Sequence, residues 1–169
     1  TGVWSIPFYS DGFRIDNTPA EQVVMVEDAG KYSSRNAEIS FNWTDSADDE
    51  VTNGITYGSG ILGYSIELVA AEDGEVISQS YVTTTNYTFV GLTEDKYEQG
   101  KQYYARVKAQ NGSRLFSLPQ VSDGITKDRT QPESNPVIFQ AGDGKYSTYN
   151  TTLDVSWNAG IDSDSDINN

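Results

Sequence analysis

Residues 85–111 read TNYTFVGLTEDKYEQGKQYYARVKAQN, and this stretch decides the fold. Apolar and polar residues alternate in Tyr87-Thr88-Phe89 and again from Tyr103 to Ala109, a period of two that puts one face of a strand inward and the other outward. The same alternation occurs in Ile39-Ser40-Phe41-Asn42-Trp43 and Tyr64-Ser65-Ile66-Glu67-Leu68. Glu72-Asp73-Gly74, Asn111-Gly112, Asp123-Gly124 and Gly58-Ser59-Gly60 supply Gly-containing breaks. No stretch carries a helical period. Short strands with turns at about ten-residue spacing predict an all-β sandwich. Its inward positions are Trp43, Tyr64, Ile66, Tyr87, Phe89, Leu92, Tyr103, Ala105 and Val107.

Outward from that stretch, the chain repeats itself. WSIPFYSDGFRIDNTP from Trp4 returns as FSLPQVSDGITKDRTQP from Phe116, and GKYSSRNAEISFNW ending at Trp43 returns as GKYSTYNTTLDVSWN around Trp157. The offsets are 112 for the first pair and 114 for the second, so one repeat is about 113 residues, large enough for each copy to own a core.

With the repeat in place, the motifs resemble fibronectin type III modules. Trp43 stands where that family has its second-strand Trp, and Tyr64 with Ile66 matches its Tyr-x-Ile strand. Gly91-Leu92 precedes the corner, and Tyr103 lies four residues before core Val107. SDGFRIDNTPA and SDGITKDRTQP resemble the last strand and the Asp-x-Thr-Pro linker that join such modules in long microbial surface proteins. The resemblance covers essentially the whole chain. It implies tandem immunoglobulin-like (fibronectin type III) sandwiches, one complete and two partial. Residues 1–18 would be the last strand of a preceding module, 19–130 a complete module, and 131–169 the first strands of a following one. It also implies that Tyr103 is a corner tyrosine, its hydroxyl bonded to backbone near the Leu92 turn. The end segments would be completed by further sequence of the same polypeptide or by strands from a like subunit in a filament.

Composition narrows the chemistry. The 169 residues contain no Cys and no His, which removes disulfides, thiol chemistry, imidazole ligation and His-based catalytic triads from this span. A formal net charge of −14 argues against nucleic acid or an anionic membrane as partner. Apolar runs are too short for membrane insertion in this span. Catalysis by paired carboxylates needs two of them across a cleft, which a small sandwich does not offer at its loops.

Three constellations remain. Asp45, Asp48, Asp49 and Glu50 crowd the long loop from Thr44 to Leu62, and Asp162, Asp164 and Asp166 crowd its counterpart after Trp157. Two readings stand side by side: a Ca²⁺ site built from Asp45, Asp48, Asp49, Asp162, Asp164 and Asp166, or a solvated acidic loop. The linker acids Asp16 and Asp128 recur one repeat apart, either capping the turn before Pro or contributing to a metal at the module junction. No cofactor other than calcium is suggested. Four Asn-x-Ser/Thr sequons, at Asn42, Asn86, Asn111 and Asn150, are candidate glycosylation sites, with Asn42 and Asn86 on the outward strand phase. Tyr81, Tyr97 and Tyr104 fall outside the inward set and could form a sugar-stacking platform.

The expected function is a non-enzymatic structural or adhesive segment of a long extracellular or cell-surface repeat protein, in a filament, sheath or surface-layer shaft, with neighbouring modules as partners. The alternatives are spacer modules of a large secreted enzyme, or a glycan- or protein-binding module that uses loops 44–62 and 111–115.

Overall fold

A computed structural model describes residues 1–52, 54–133, 137–138, 156–157 and 159–163. Eleven described strands fall between residues 26 and 127, and nine of them form the two sheets of the sandwich. One sheet has three strands: β1 (Val26–Glu27), β3 (Glu38–Trp43) and β8 (Asn86–Val90), in the order β1-β3-β8. The second runs β2 (Tyr32–Ser33), β11 (Ile125–Lys127), β9 (Gln102–Asn111), β6 (Ile61–Ala70), β7 (Val76–Val82), with β10 (Gln120–Val121) also on β9. A hairpin of β4 (Val51–Thr52) and β5 (Ile55–Thr56) sits within the long loop. The first strand is split: β1 pairs with β3, then the chain crosses so that β2 runs parallel to β11. This is an all-β, immunoglobulin-like sandwich.

Alternation explains the core. Along β9, Tyr103, Ala105, Val107 and Ala109 are buried while the residues between them are half-covered. Along β3, Ile39, Phe41 and Trp43 are buried. These faces meet with Tyr64, Ile66, Leu68, Phe89 and Ile125, so apolar side chains from both sheets fill one layer. Aromatic edges lock it: Trp43 meets Tyr64 at 5.6 Å between ring centroids, and Phe41 meets Phe89 at 6.3 Å. Two expected core residues, Tyr87 and Leu92, are only half-buried and pack at its margin, because they sit at the open flank of the short three-stranded sheet. Strand β6 departs from strict alternation through register shifts at Ile61/Gly63 and Leu68/Val69, and Val69, beside the second shift, is buried as well as Leu68.

Tyr103 is indeed a corner tyrosine, but its partner lies further along than the Leu92 turn. The Glu98 N–H donates to Tyr103 Oη at 2.8 Å, while the Leu92 N–H donates to Ala37 O at 3.0 Å and ties the corner to β3's start. Lys127, at the end of β11, is fully buried. Its Nζ donates to Glu94 Oε2 at 2.8 Å and to Tyr97 O, and lies 4.6 Å from the Tyr97 ring centroid.

Beyond the sandwich, β12 (Val137–Ile138) pairs antiparallel with β13 (Ser156–Trp157), with Val137 opposite Trp157. A further bridge joins Glu133 and Ile161. This repeats the pairing of Val26 with Trp43, so the opening strand pair of the repeat forms twice. At the other end, residues 1–17 form no strand, and Trp4, Ile6, Phe8, Phe13 and Ile15 are exposed.

Candidate functional site

Three segments distant in sequence converge at one end of the sandwich: the linker around Asp16, the loop that follows β3, and the turn that follows β9. Asn111 is the hub. Its side chain is fully buried, and Nδ2 donates to Asp16 Oδ2 at 3.0 Å, to Thr18 O at 2.8 Å and, more weakly, to Asp48 Oδ1 at 3.4 Å. Asn111 Oδ1 accepts the Leu115 N–H at 2.9 Å, which closes the turn.

Ser59 is the second hub. Its N–H and hydroxyl both donate to Asp48 Oδ2, at 2.7 and 3.0 Å, and the hydroxyl also bonds Asp16 Oδ2 and accepts the Ser113 N–H at 3.1 Å. Close approach is possible because of two glycines. A Cβ on Gly58 would stand 1.3 Å from Asp48 O, and one on Gly112 would stand 2.6 Å from Ser59 O. The other oxygen of Asp16 accepts from Thr18 N and Oγ1, at 3.2 and 3.3 Å, which shapes the chain just before Pro19.

This arrangement gathers three carboxylates. Ligand oxygens of Asp16, Asp48 and Glu50 lie within 4.8 Å of one another. Asp48 is buried, and Glu50 Oε1 is shut off from solvent without a hydrogen-bond partner. The Ser59 hydroxyl, with smaller help from Thr18, holds the Asp16 carboxyl below its ordinary pKa despite the opposing effect of burial. Glu50 goes the other way: burial first, then the negative charges of Asp16 and Asp48, push its pKa up. Chemically the cluster can take up a cation or hold a proton.

The expected calcium set is therefore divided. Of Asp45, Asp48 and Asp49, only Asp48 enters the cluster. Asp45 is exposed and accepts the Tyr64 hydroxyl at 2.7 Å, and Asp49 is exposed on the adjoining loop. Asp48 faces inward while its neighbour Asp49 faces solvent. Asp162 is half-buried, whereas Asp164 and Asp166 lie outside the described residues. Sequence reasoning named Glu50 only as a member of the acidic crowd. The signal that could have singled it out is the repeat itself, because Asp48 and Glu50 correspond to Asp162 and Asp164 at the 114-residue offset of the Trp residues.

Among the sequons, Asn42 and Asn86 are exposed, as the strand phase requires, although Asn42 Nδ2 donates to Glu27 Oε2 at 2.7 Å. Asn111 is a correction: the nitrogen that would carry a glycan is enclosed and bonded within the site, so a glycan there is incompatible with this packing. Asn150 lies outside the described residues. Tyr97 is a second correction. Its ring is buried against Tyr103, with centroids 4.9 Å apart, and beneath Lys127, which removes it from any platform with exposed Tyr81 and half-buried Tyr104.

Among solved structures, the chain is similar to the twitchin kinase region from C. elegans (Fn31-NL-kin-CRD-Ig26). There the TM-score is 0.48 and the identity 20%, over 70% of this chain and 18% of that one. It is also similar to titin kinase and its flanking domains, with a TM-score of 0.41 and 23% identity over 63% of this chain and 16% of that one. The chain spans less than a fifth of either structure. No protein-family model matches the sequence, and no curated protein does.

Proposed function

We propose that this chain is a non-enzymatic structural or adhesive segment of a long extracellular repeat protein, of the kind found on microbial surfaces, in which sandwiches of about 113 residues follow one another along a shaft. The observation that carries the reading is the doubled linker. SDGITKD, residues 122–128, supplies β11 and closes the described sandwich, with Ile125 and Lys127 fully buried. SDGFRID, residues 10–16, has the same pattern, yet Phe13 and Ile15 stand in solvent. An apolar strand sequence of this kind gains about 1.5–3 kcal/mol per large side chain when it finds a sheet. The preceding module of the same polypeptide is the natural host, and a like subunit in a filament is the other.

The test is proteolysis of the native polypeptide against the 169-residue chain. Residues 4–16 are cut rapidly in the isolated chain and become as resistant as residues 116–128 in the native protein. Equal susceptibility in both would remove the array reading.

A second reading has an observation of its own. The 44–62 loop exposes three large apolar side chains, Val51, Ile55 and Tyr57, on the element that departs from a minimal module. It favours protein or glycan binding through that loop. Deleting residues 51–56 while retaining fold and assembly, but losing surface adhesion, would establish it.

A further inference from the structure

We propose that Lys127 selects which closing strand this sandwich accepts: its own, and not the matching strand of a neighbouring repeat.

The slot itself is permissive. β11 lies between β9 and β2, and main-chain bonds hold it there. The Lys127 N–H donates to Lys101 O at 3.0 Å, the Gly100 N–H to Lys127 O at 2.8 Å, and the Thr126 and Asp128 N–H groups to Lys31 O and Ser33 O at 2.9 Å. Any extended strand can make such bonds, so they give affinity without choice. SDGFRID meets the same pattern as SDGITKD. Gly12 and Gly124 share positive φ, at 82° and 97°, and Asp16 and Asp128 each accept from a Thr two residues on. Phe13 and Ile125 supply an apolar residue directly after the Gly. Two nearly interchangeable strands in one chain invite strand exchange, a characteristic failure of repeat proteins.

The strands differ at the next inward position, where SDGITKD has Lys127 and SDGFRID has Ile15. Among the described residues, Lys127 is the only Lys or Arg that is buried. The corner of residues 93–97 is shaped to it. Nζ donates to Glu94 Oε2 at 2.8 Å and to Tyr97 O, and lies 4.6 Å from the Tyr97 ring centroid. Glu94 is exposed on its outer side, so the corner holds the ammonium without burying both ions.

An Ile in that place would take the Nζ donor from Glu94 and from Tyr97 O, and its shorter side chain would leave space beside the Tyr97 ring. The converse is worse. Lys127 in a slot that fits Ile15 would carry an unpaired charge into a core. Each strand is thus penalised in the other's slot, which is the repulsive half of specificity. A buried ion pair adds little stability over an apolar pair of the same volume, yet removing one partner is costly, and that asymmetry suits a discriminator. That there is a neighbouring strand to refuse rests on the array reading above.

The experiment presents the neighbour's strand to this host within the full 169-residue chain. One variant rewrites residues 122–128 as SDGFRID through Ile125→Phe, Thr126→Arg and Lys127→Ile. A second carries Ile125→Phe and Thr126→Arg, and a third Lys127→Ile alone. Urea unfolding gives the folding constant, and hydrogen exchange reads the protection of residues 125–127. Lys127→Ile should lower the folding constant at least about tenfold and account for most of the loss in the triple variant. The variant that keeps Lys127 should stay closer to the parent.

The host is then changed. In a Glu94→Ala background the penalty for Lys127→Ile should shrink at least about fivefold, because Lys127 has already lost its partner there. A lysine that only fills space would cost the same in both hosts. If Lys127→Ile fails to fold, Lys127→Met, which keeps the stem without the charge, replaces it in both backgrounds. A loss carried by Ile125→Phe and Thr126→Arg instead of Lys127, or a Lys127 penalty unchanged by Glu94→Ala, would overturn the proposal. Either failure leaves the array reading standing, since protease protection of residues 4–16 tests that separately.

Discussion

Residues 10–16 and 122–128 are nearly the same peptide in two conditions. SDGITKD pairs with β9, placing Ile125 opposite Tyr103 and sealing the core, whereas SDGFRID makes no strand although Phe13 is 89% exposed and its counterpart Ile125 is 0%. Their intrinsic preferences are alike, so local propensity cannot be the cause. A strand this short gains too little from its own backbone to offset the entropy of ordering it, and it forms only where a sheet edge and an apolar face already wait. What distinguishes the two copies is a host.

Substitution at equivalent positions gives the largest separation. Ile125→Ala should cost about 2–5 kcal/mol of unfolding free energy, by loss of buried methyl groups and the cavity left behind. Phe13→Ala should change it by less than about 0.5 kcal/mol in the 169-residue chain. Urea unfolding of both variants checks this, and an equal loss at the two sites would break the comparison.

The next effect lies in the host rather than the guest. Tyr103→Phe leaves the Glu98 N–H without its acceptor and should cost about 1–3 kcal/mol. Because Tyr103 faces Ile125 across the sheet, hydrogen exchange should accelerate in residues 125–127 more than in β3. Uniform acceleration would mean that the corner and the last strand are not coupled.

Acidity separates the two ends more gently. Glu94, which bonds the buried Lys127 beside the second copy, has its pKa lowered chiefly by that contact, and Asp16 in the first copy has its pKa lowered chiefly by Ser59. A depressed carboxyl stabilises the fold fully above its ordinary pKa, and that stability is lost as pH falls through the folded value. Glu50 has the opposite sign. Its raised pKa favours the protonated folded state, so stability declines as pH rises from the ordinary glutamate range through the folded value. Glu50→Gln should therefore raise Tm at neutral pH and leave it unchanged in strong acid. A Tm gain that persists in strong acid would contradict the charge argument.

Much of this was legible in sequence, and what was missed has a physical reason. Alternation in residues 39–43, 64–68 and 103–109 gives the two buried faces, and the repeat of Trp4–Pro19 from Phe116 places the last strand. The carboxylate cluster was only half visible, because Asp45, Asp48 and Asp49 look equivalent in a string. It takes the fold to show that Asp45 serves Tyr64, that Asp49 faces water, and that Asp16, 32 residues before Asp48, closes the group. Asn111 matched a glycosylation sequon for the same reason: a three-residue pattern carries no burial. Tyr97 lies in a turn, where no period assigns a face, and it proved to be core.

On the proposed array reading, residues 4–16 are a strand awaiting a sheet. Hydrogen exchange on the native polypeptide, read against the 169-residue chain, tests it most directly. In the isolated chain, amides of residues 4–16 should exchange at nearly unprotected rates while those of 125–127 are protected. In the native protein both stretches should be protected to a similar degree. Residues 4–16 exchanging freely in the native protein would contradict the account.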